Sequence, residues 1–224
     1  MAPIKNGQSA VFRLRLRMRI LLIQPPVAEK NITSFMYPPM GLISLAATVR
    51  QAGHVVAIHD CNLYAQSFEQ ALTKIRETKP DLVGITAMTV NIGHGLELAK
   101  KIKKLNSKMV TVIGGVHATV APEHVLGDKN VDFIVIAEGE ISFNNLLSVL
   151  GKNGDLKKVR GIGYKIGAKK FFNERQPLIE DISKLPIPAY DLLEFNKYHA
   201  PYTARHPFMS MIRSRGCPYL CTFC

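Results

Sequence analysis

Short apolar runs recur along the first two thirds of the chain. Each is followed by a longer segment whose apolar positions fall every three or four residues. The runs at 19–24, 54–60, 82–87, 109–113 and 133–137 are rich in Val and Ile and bounded by Gly, Pro or charge. Continuous hydrophobicity over so few residues is how a strand buried on both faces reads, as in a parallel sheet. The intervening segments read as amphipathic helices. Residues 40–52 place Leu42, Leu45, Ala46 and Val49 on one face and stop at Gly53, a C-cap residue type. Residues 68–78 end ahead of Pro80, which disfavours helical backbone at the residue before it. Residues 94–105 carry Leu96, Ala99, Ile102 and Leu105 opposite a row of lysines, 122–126 form a short helix, and 140–150 close the unit. Strand and helix in alternation predict an α/β fold of the doubly wound, flavodoxin-like or Rossmann-like class, with a five-stranded parallel sheet covered on both faces. Right-handed crossovers leave little freedom in its topology.

After residue 150 the character changes. Residues 151–158 are polar. Residues 159–166 and 171–173 predict a hairpin around a Gly-containing turn at 167–170. Residues 177–195 hold three prolines and read as a connector laid across a surface, and 207–214 as a new strand. The expected organisation is a basic extension (1–17), a first domain (18–150), a hairpin and linker (151–206), and the start of a second domain (207–224).

Composition narrows the classes. At 224 residues, 47% hydrophobic and 21% charged, the chain is ordinary for a globular protein, and no apolar run approaches the ~18 residues of a membrane span. Lys and Arg number 29 against 17 Asp and Glu, a formal charge of +12. The basic residues are scattered, Trp is absent and no aromatic–basic interleaving occurs, which argues against nucleic acid as partner. The stretch up to Arg19 has five basic residues and no acid, but the apolar run at 20–23 is too short for a secretory signal. Three of the four cysteines fall within the last eight residues. That clustering points to metal ligation in a reducing compartment, the cytoplasm, rather than a disulfide framework. Cys61, alone at a strand end, reads as a small buried hydrophobe.

The final residues spell Cys217-Pro-Tyr-Leu-Cys221-Thr-Phe-Cys224. Three thiolates on one compact loop can hold three irons of a 4Fe-4S cluster and leave the fourth open to an exogenous ligand. A zinc site closed by His199 or His206 is the alternative. The spacing, with an aromatic residue before the third cysteine, resembles the signature of the radical S-adenosylmethionine (SAM) superfamily. The resemblance implies that Cys217, Cys221 and Cys224 ligate iron, that the open iron chelates SAM, and that Phe223 sits near the adenine. Ser214-Arg215-Gly216 and Pro218 also match that family's surroundings.

In doubly wound sheets ligands bind beyond the carboxyl ends of the strands. Gln24, Pro25 and Pro26 follow the first strand; Thr86, Met88 and Thr89 the third; Gly114, Gly115 and His117 the fourth; Glu138, Gly139 and Glu140 the fifth. Paired glycines admit a ligand close to the backbone, although a tight strand-to-helix turn accounts for them equally. His117 reads as a ligand contact or as a helix-start residue, and Glu138 and Glu140 as ligand contacts or as helix caps. Together with the segment Pro177-Leu-Ile-Glu-Asp-Ile-Ser-Lys-Leu-Pro-Ile-Pro-Ala-Tyr190, these loops resemble the N-terminal domain and linker of cobalamin-dependent radical SAM enzymes. The resemblance runs from Met18 to Cys224. It implies cobalamin, a 4Fe-4S cluster and SAM as cofactors. It also implies a methyltransferase-like or cyclase-like reaction on a small-molecule or natural-product substrate, and a protein reductant. Residues 25–39 contain no His, so cobalamin is expected base-off without histidine on cobalt. The family's catalytic barrel lies downstream of these cysteines, so the present chain is expected to be inactive alone, a cobalamin-binding module.

Overall fold

The computed structural model describes residues 14–27, 37–199, 205 and 208–222. Most of the 1–17 extension, together with His206, Phe223 and Cys224, lies outside the described residues. The chain runs β1 (Arg19–Gln24), α1 (Met40–Gln51), β2 (Val55–Asp60), α2 (Phe68–Thr78), β3 (Leu82–Thr86), α3 (Ile92–Leu105), β4 (Val110–Gly114), α4 (Val116–Val120), α5 (Pro122–Gly127), β5 (Phe133–Val135), α6 (Gly139–Lys152), β6 (Ile162–Ile166) and β7 (Lys169–Phe172). The strands form one sheet in the order β2-β1-β3-β4-β5-β6-β7.

From β2 to β5 all neighbours are parallel, as expected of a doubly wound α/β fold. Strand side chains divide between two cores. Ile20, Leu22, Leu82, Val110, Val112, Phe133 and Val135 face α1 and α6. Leu21, Ile23, Val83, Ile85, Ile113 and Ile134 face α2, α3, α4 and α5. This two-sided burial is why the strands read as unbroken apolar runs.

Local signals set the helix ends. The hydroxyl of Ser67 accepts the backbone N–H of Gln70 while the Gln70 side chain accepts that of Ser67, a reciprocal cap on α2. Lys79 ends that helix in the left-handed conformation, directly before Pro80. Gly53 closes α1 with φ +88°.

Three expectations are modified. The hairpin at 159–173 is more than a linker. β6 pairs antiparallel with β5 through Phe133 opposite Tyr164 and Val135 opposite Ile162, and β7 pairs with β6. It joins the sheet because Ile162 and Tyr164 are buried in the α1/α6 core and because β5 would otherwise be an unpaired edge. β5 is shorter than 133–137: Ala137 adopts φ +65° and turns the chain into α6. Residues 208–214 carry no strand, since a strand needs a neighbour for its backbone hydrogen bonds and the described residues bring none beside it.

Among the described residues no helix is long and apolar enough to cross a membrane. The packing makes a direct stability prediction. Leu146→Ala, at a fully buried position of α6, should lower the free energy of unfolding by about 2–5 kcal/mol in urea titrations. Leu178→Ala, at an exposed position, should stay within about 0.5 kcal/mol of wild type.

Candidate functional site

Crossover α1 leaves the sheet on one face and α2 on the other, so the order in which strands are added reverses between β1 and β3. Ligand crevices form at such switch points. A cavity of about 370 Å³ lies there, on the α1/α6 side. Its floor is Leu22, Gly84, Val112 and Val135, its roof Leu42, Leu45 and Phe143, and its mouth Thr86, Gly114, Gly115 and residues 137–140.

Gly84 keeps it open, and Gly115 shapes its mouth. A Cβ on Gly84 would come within 2.8 Å of Leu22 Cδ2 and 3.8 Å of Phe143 Cζ, both part of the lining. Gly115 has φ +97°, and a Cβ there would lie 2.7 Å from the Ala87 carbonyl oxygen, so the turn out of β4 tolerates no side chain. The interior is lined mainly by carbon, which suits a flat organic group rather than a hydrated ion.

The mouth is polar and bordered by an ion-pair cluster. Arg215 donates to Glu140 Oε1 at 2.5 Å, to Ser44 Oγ at 3.1 Å and to Glu138 Oε1 at 3.3 Å. Ser44 donates to the same Glu140 oxygen at 2.7 Å, and Glu138 Oε2 accepts the N–H of Ile179 at 2.7 Å. Burial alone would raise the Glu140 carboxyl pKa; hydrogen bonds from Arg215 and Ser44 outweigh it and hold the group below the usual carboxylate range. Ile212 and Arg215, from the segment that carries the cysteines, both line the cavity.

Of the residues singled out from sequence, Thr86, Gly114, Gly115, Glu138, Gly139 and Glu140 meet at this cavity. Gln24 ends β1 opposite Asp60, with Pro25 and Pro26 buried behind it, and none of the three lines the cavity. Met88 is exposed, its N–H held by Asn91 Oδ1 at 2.7 Å. Thr89 Oγ1 lies 3.2 Å from His117 Nδ1, and His117 Nε2 lies 2.9 Å from His124 Nδ1. Both ring nitrogens of His117 are thus engaged within the protein, at the start of α4 and away from the cavity lining. Cys217 and Cys221 are free and exposed. His199 is exposed, its Nδ1 3.4 Å from the Lys197 carbonyl oxygen. Among the described residues no three His, Cys, Asp or Glu side chains converge on a metal position. Cys61 is buried, as expected, and burial with the Asp60 charge pushes its thiol up to about 12.

Sequence reasoning passed over Ser44, Gly84 and Phe143, and took Arg215 only as part of the surroundings of the cysteines. Ser44 carried a usable signal, a polar residue among the buried positions of α1. Arg215 carried another, a cation immediately before the cysteines.

Comparison with known proteins places the cavity in context. The B12 binding domain model matches residues 33–147. An uncharacterized methyltransferase of Pyrococcus horikoshii is 38% identical over 210 residues, covering 92% of this chain and 45% of that protein. An anaerobic magnesium-protoporphyrin IX monomethyl ester cyclase of Rubrivivax gelatinosus is 32% identical over 215 residues, covering 92% of this chain and 38% of that protein. The chain therefore spans less than half the length of these relatives. Among solved structures, the cobalamin-dependent S-adenosylmethionine radical enzyme OxsB, with aqua-cobalamin and S-adenosylmethionine bound, superposes with a TM-score of 0.68 at 18% identity, over 79% of this chain and 24% of that one, a likeness of fold.

The Glu140 ion pair predicts a signature in acid. Because its folded-state pKa is lowered, its contribution is complete above the unfolded glutamate value of about 4.3 and is lost as pH falls through the lower folded value. The urea midpoint of wild type should therefore drop more steeply between pH 5 and pH 3 than that of Glu140→Gln, which has no carboxyl to protonate.

Proposed function

Because the chain belongs to the B12-binding domain family, we propose that it holds cobalamin at the carboxyl edge of its parallel sheet, with the appended nucleotide tail in the cavity between the sheet and helices α1 and α6. The observation that carries this reading is the apolar, glycine-floored cavity at the switch in strand order, lying within the matched region. In it, Gly84 admits the tail, Gly114 and Gly115 let it pass close to the backbone, and Thr86 is placed to donate a hydrogen bond at the mouth. Residues 25–39 contain no histidine and His117 is committed to Thr89 and His124. The cobalt is therefore expected base-off, without a protein imidazole.

The same reading assigns Cys217, Cys221 and Cys224 to a 4Fe-4S cluster whose open iron takes SAM, with Phe223 near the adenine. Donor chemistry supports it: thiolates are the usual protein ligands of such clusters, and Cys217 and Cys221 are free and accessible. When bound, these groups supply an alkyl-carrying cobalt and a source of an organic radical. This chain's own residues bind and orient them: residues 18–150 as the cobalamin unit, 151–206 as hairpin and linker, and 207–224 as the start of the SAM-binding part. In the whole protein the chemistry is methyl transfer or cyclisation on a small molecule, with a protein reductant for the cluster, in the reducing cytoplasm.

Anaerobic titration with hydroxocobalamin, followed by visible absorption, tests the reading. Saturable binding with a base-off spectrum is expected. Gly84→Val, which fills the cavity floor, should weaken binding at least tenfold, about 1.4 kcal/mol, while His117→Ala leaves the spectrum unchanged. A histidine-ligated spectrum would overturn the coordination, and no binding by folded wild type would overturn the cofactor assignment.

A further inference from the structure

We propose that Arg215 is a positioning residue that clamps the cysteine-bearing segment onto the cavity, so that filling the cavity and ordering this segment are one coupled event. What fills the cavity rests on the cobalamin reading above; the clamp itself does not.

Arg215 stands two residues before Cys217, yet its guanidinium lies in the mouth of the cavity. It reaches Ser44, 171 residues earlier, and Glu138 and Glu140, 77 and 75 residues earlier. These three partners come from two different elements, Ser44 from α1 and the glutamates from the start of α6. One side chain therefore spans the two helices that roof the cavity. Gly139, between the two glutamates, is itself part of the lining. A group entering against Leu45 and Gly139 shifts or fixes the groups that hold Arg215.

Elsewhere the segment is held at its start: the Tyr190 hydroxyl donates to the Ser210 carbonyl oxygen at 3.1 Å and the Phe208 ring meets Tyr37 edge-on with centroids 6.1 Å apart, while Met209, Met211, Tyr219 and Leu220 are exposed. Ile212, on the same segment, reaches the cavity as well. Two contacts with the cavity, three residues apart, thus fix where the chain delivers Cys217. The planar fork of arginine suits three acceptors at once, which a lysine ammonium does not reproduce.

The test is tryptic cleavage after Arg213, followed by mass spectrometry in the full chain with and without hydroxocobalamin, for wild type, Arg215→Ala, Arg215→Lys and Ser44→Ala. Circular dichroism serves as the fold control. Cleavage in the folded state tracks the population of the open segment. Without cobalamin, Arg215→Ala should be cut about tenfold faster than wild type, with Arg215→Lys and Ser44→Ala in between. Cobalamin should slow cleavage of wild type and leave Arg215→Ala unprotected, a difference that a merely structural contact would not produce. Equal rates in wild type and Arg215→Ala, or protection of both by cobalamin to the same degree, overturn the clamp. Should Arg215→Ala fail to fold, wild-type rates in both Arg215→Lys and Ser44→Ala overturn it. Failure of wild type to bind cobalamin sinks the cofactor reading instead, and the cobalamin-free comparison still decides the clamp.

Discussion

The reversal of strand order between β1 and β3 is the constraint on which the rest depends. A strand order of β2-β1-β3 obliges α1 and α2 to leave on opposite faces, because right-handed crossovers allow no other arrangement. The loops at that point diverge, and a gap remains at the carboxyl edge. Most side chains would fill it. Here β3 offers Gly84, so the gap persists as a cavity. Its mouth then gathers the carboxylates that start α6, and a buried carboxylate needs a partner to remain charged. Arg215 is that partner.

The parallel sheet was legible in the sequence because burial on both faces leaves a direct record in composition. The strands from β1 to β5 each appear as an apolar run, and five of the six cavity residues anticipated at the ends of β3, β4 and β5 stand out as glycine or charge. What was not legible depends on distance along the chain. Ser44 and Arg215 meet across 171 positions, and nothing local to either says so. The five residues of α4 are too few to show a helical period. The hairpin read as a hairpin, but a strand pair looks the same whether it stands alone or extends a sheet. Only the burial of Ile162 and Tyr164 against α1 and α6 decides that.

The connector anticipated after the hairpin is anchored more firmly than its prolines imply. The N–H of Ala189 donates to the Ile43 carbonyl oxygen at 3.0 Å, and Arg50 holds Asp191 through two hydrogen bonds at 2.7 and 3.0 Å. Tyr198 is buried and donates to Asp60 Oδ2 at 3.2 Å, at the carboxyl end of β2. Burial pushes the Asp60 carboxyl up, although N–H groups of Asn62 and Leu63 and the Tyr198 hydroxyl pull the other way. The connector is thus fastened along α1 and, through Tyr198, to the carboxyl edge of the sheet where the cavity lies, which fixes the direction from which the cysteines approach it.

The appended hairpin also determines how the sheet ends. β7 is four residues long, and Lys169 and Lys170 stand exposed on it. A strand arriving from another molecule to extend the ladder would meet the charged Lys169 and the Lys170–Glu123 ion pair and would find few residues to pair with. β5, three residues long and wholly apolar, would have been a far more adhesive border. By covering that border with a short, positively charged one, the hairpin gives the chain a built-in guard against aggregation through that edge of its sheet.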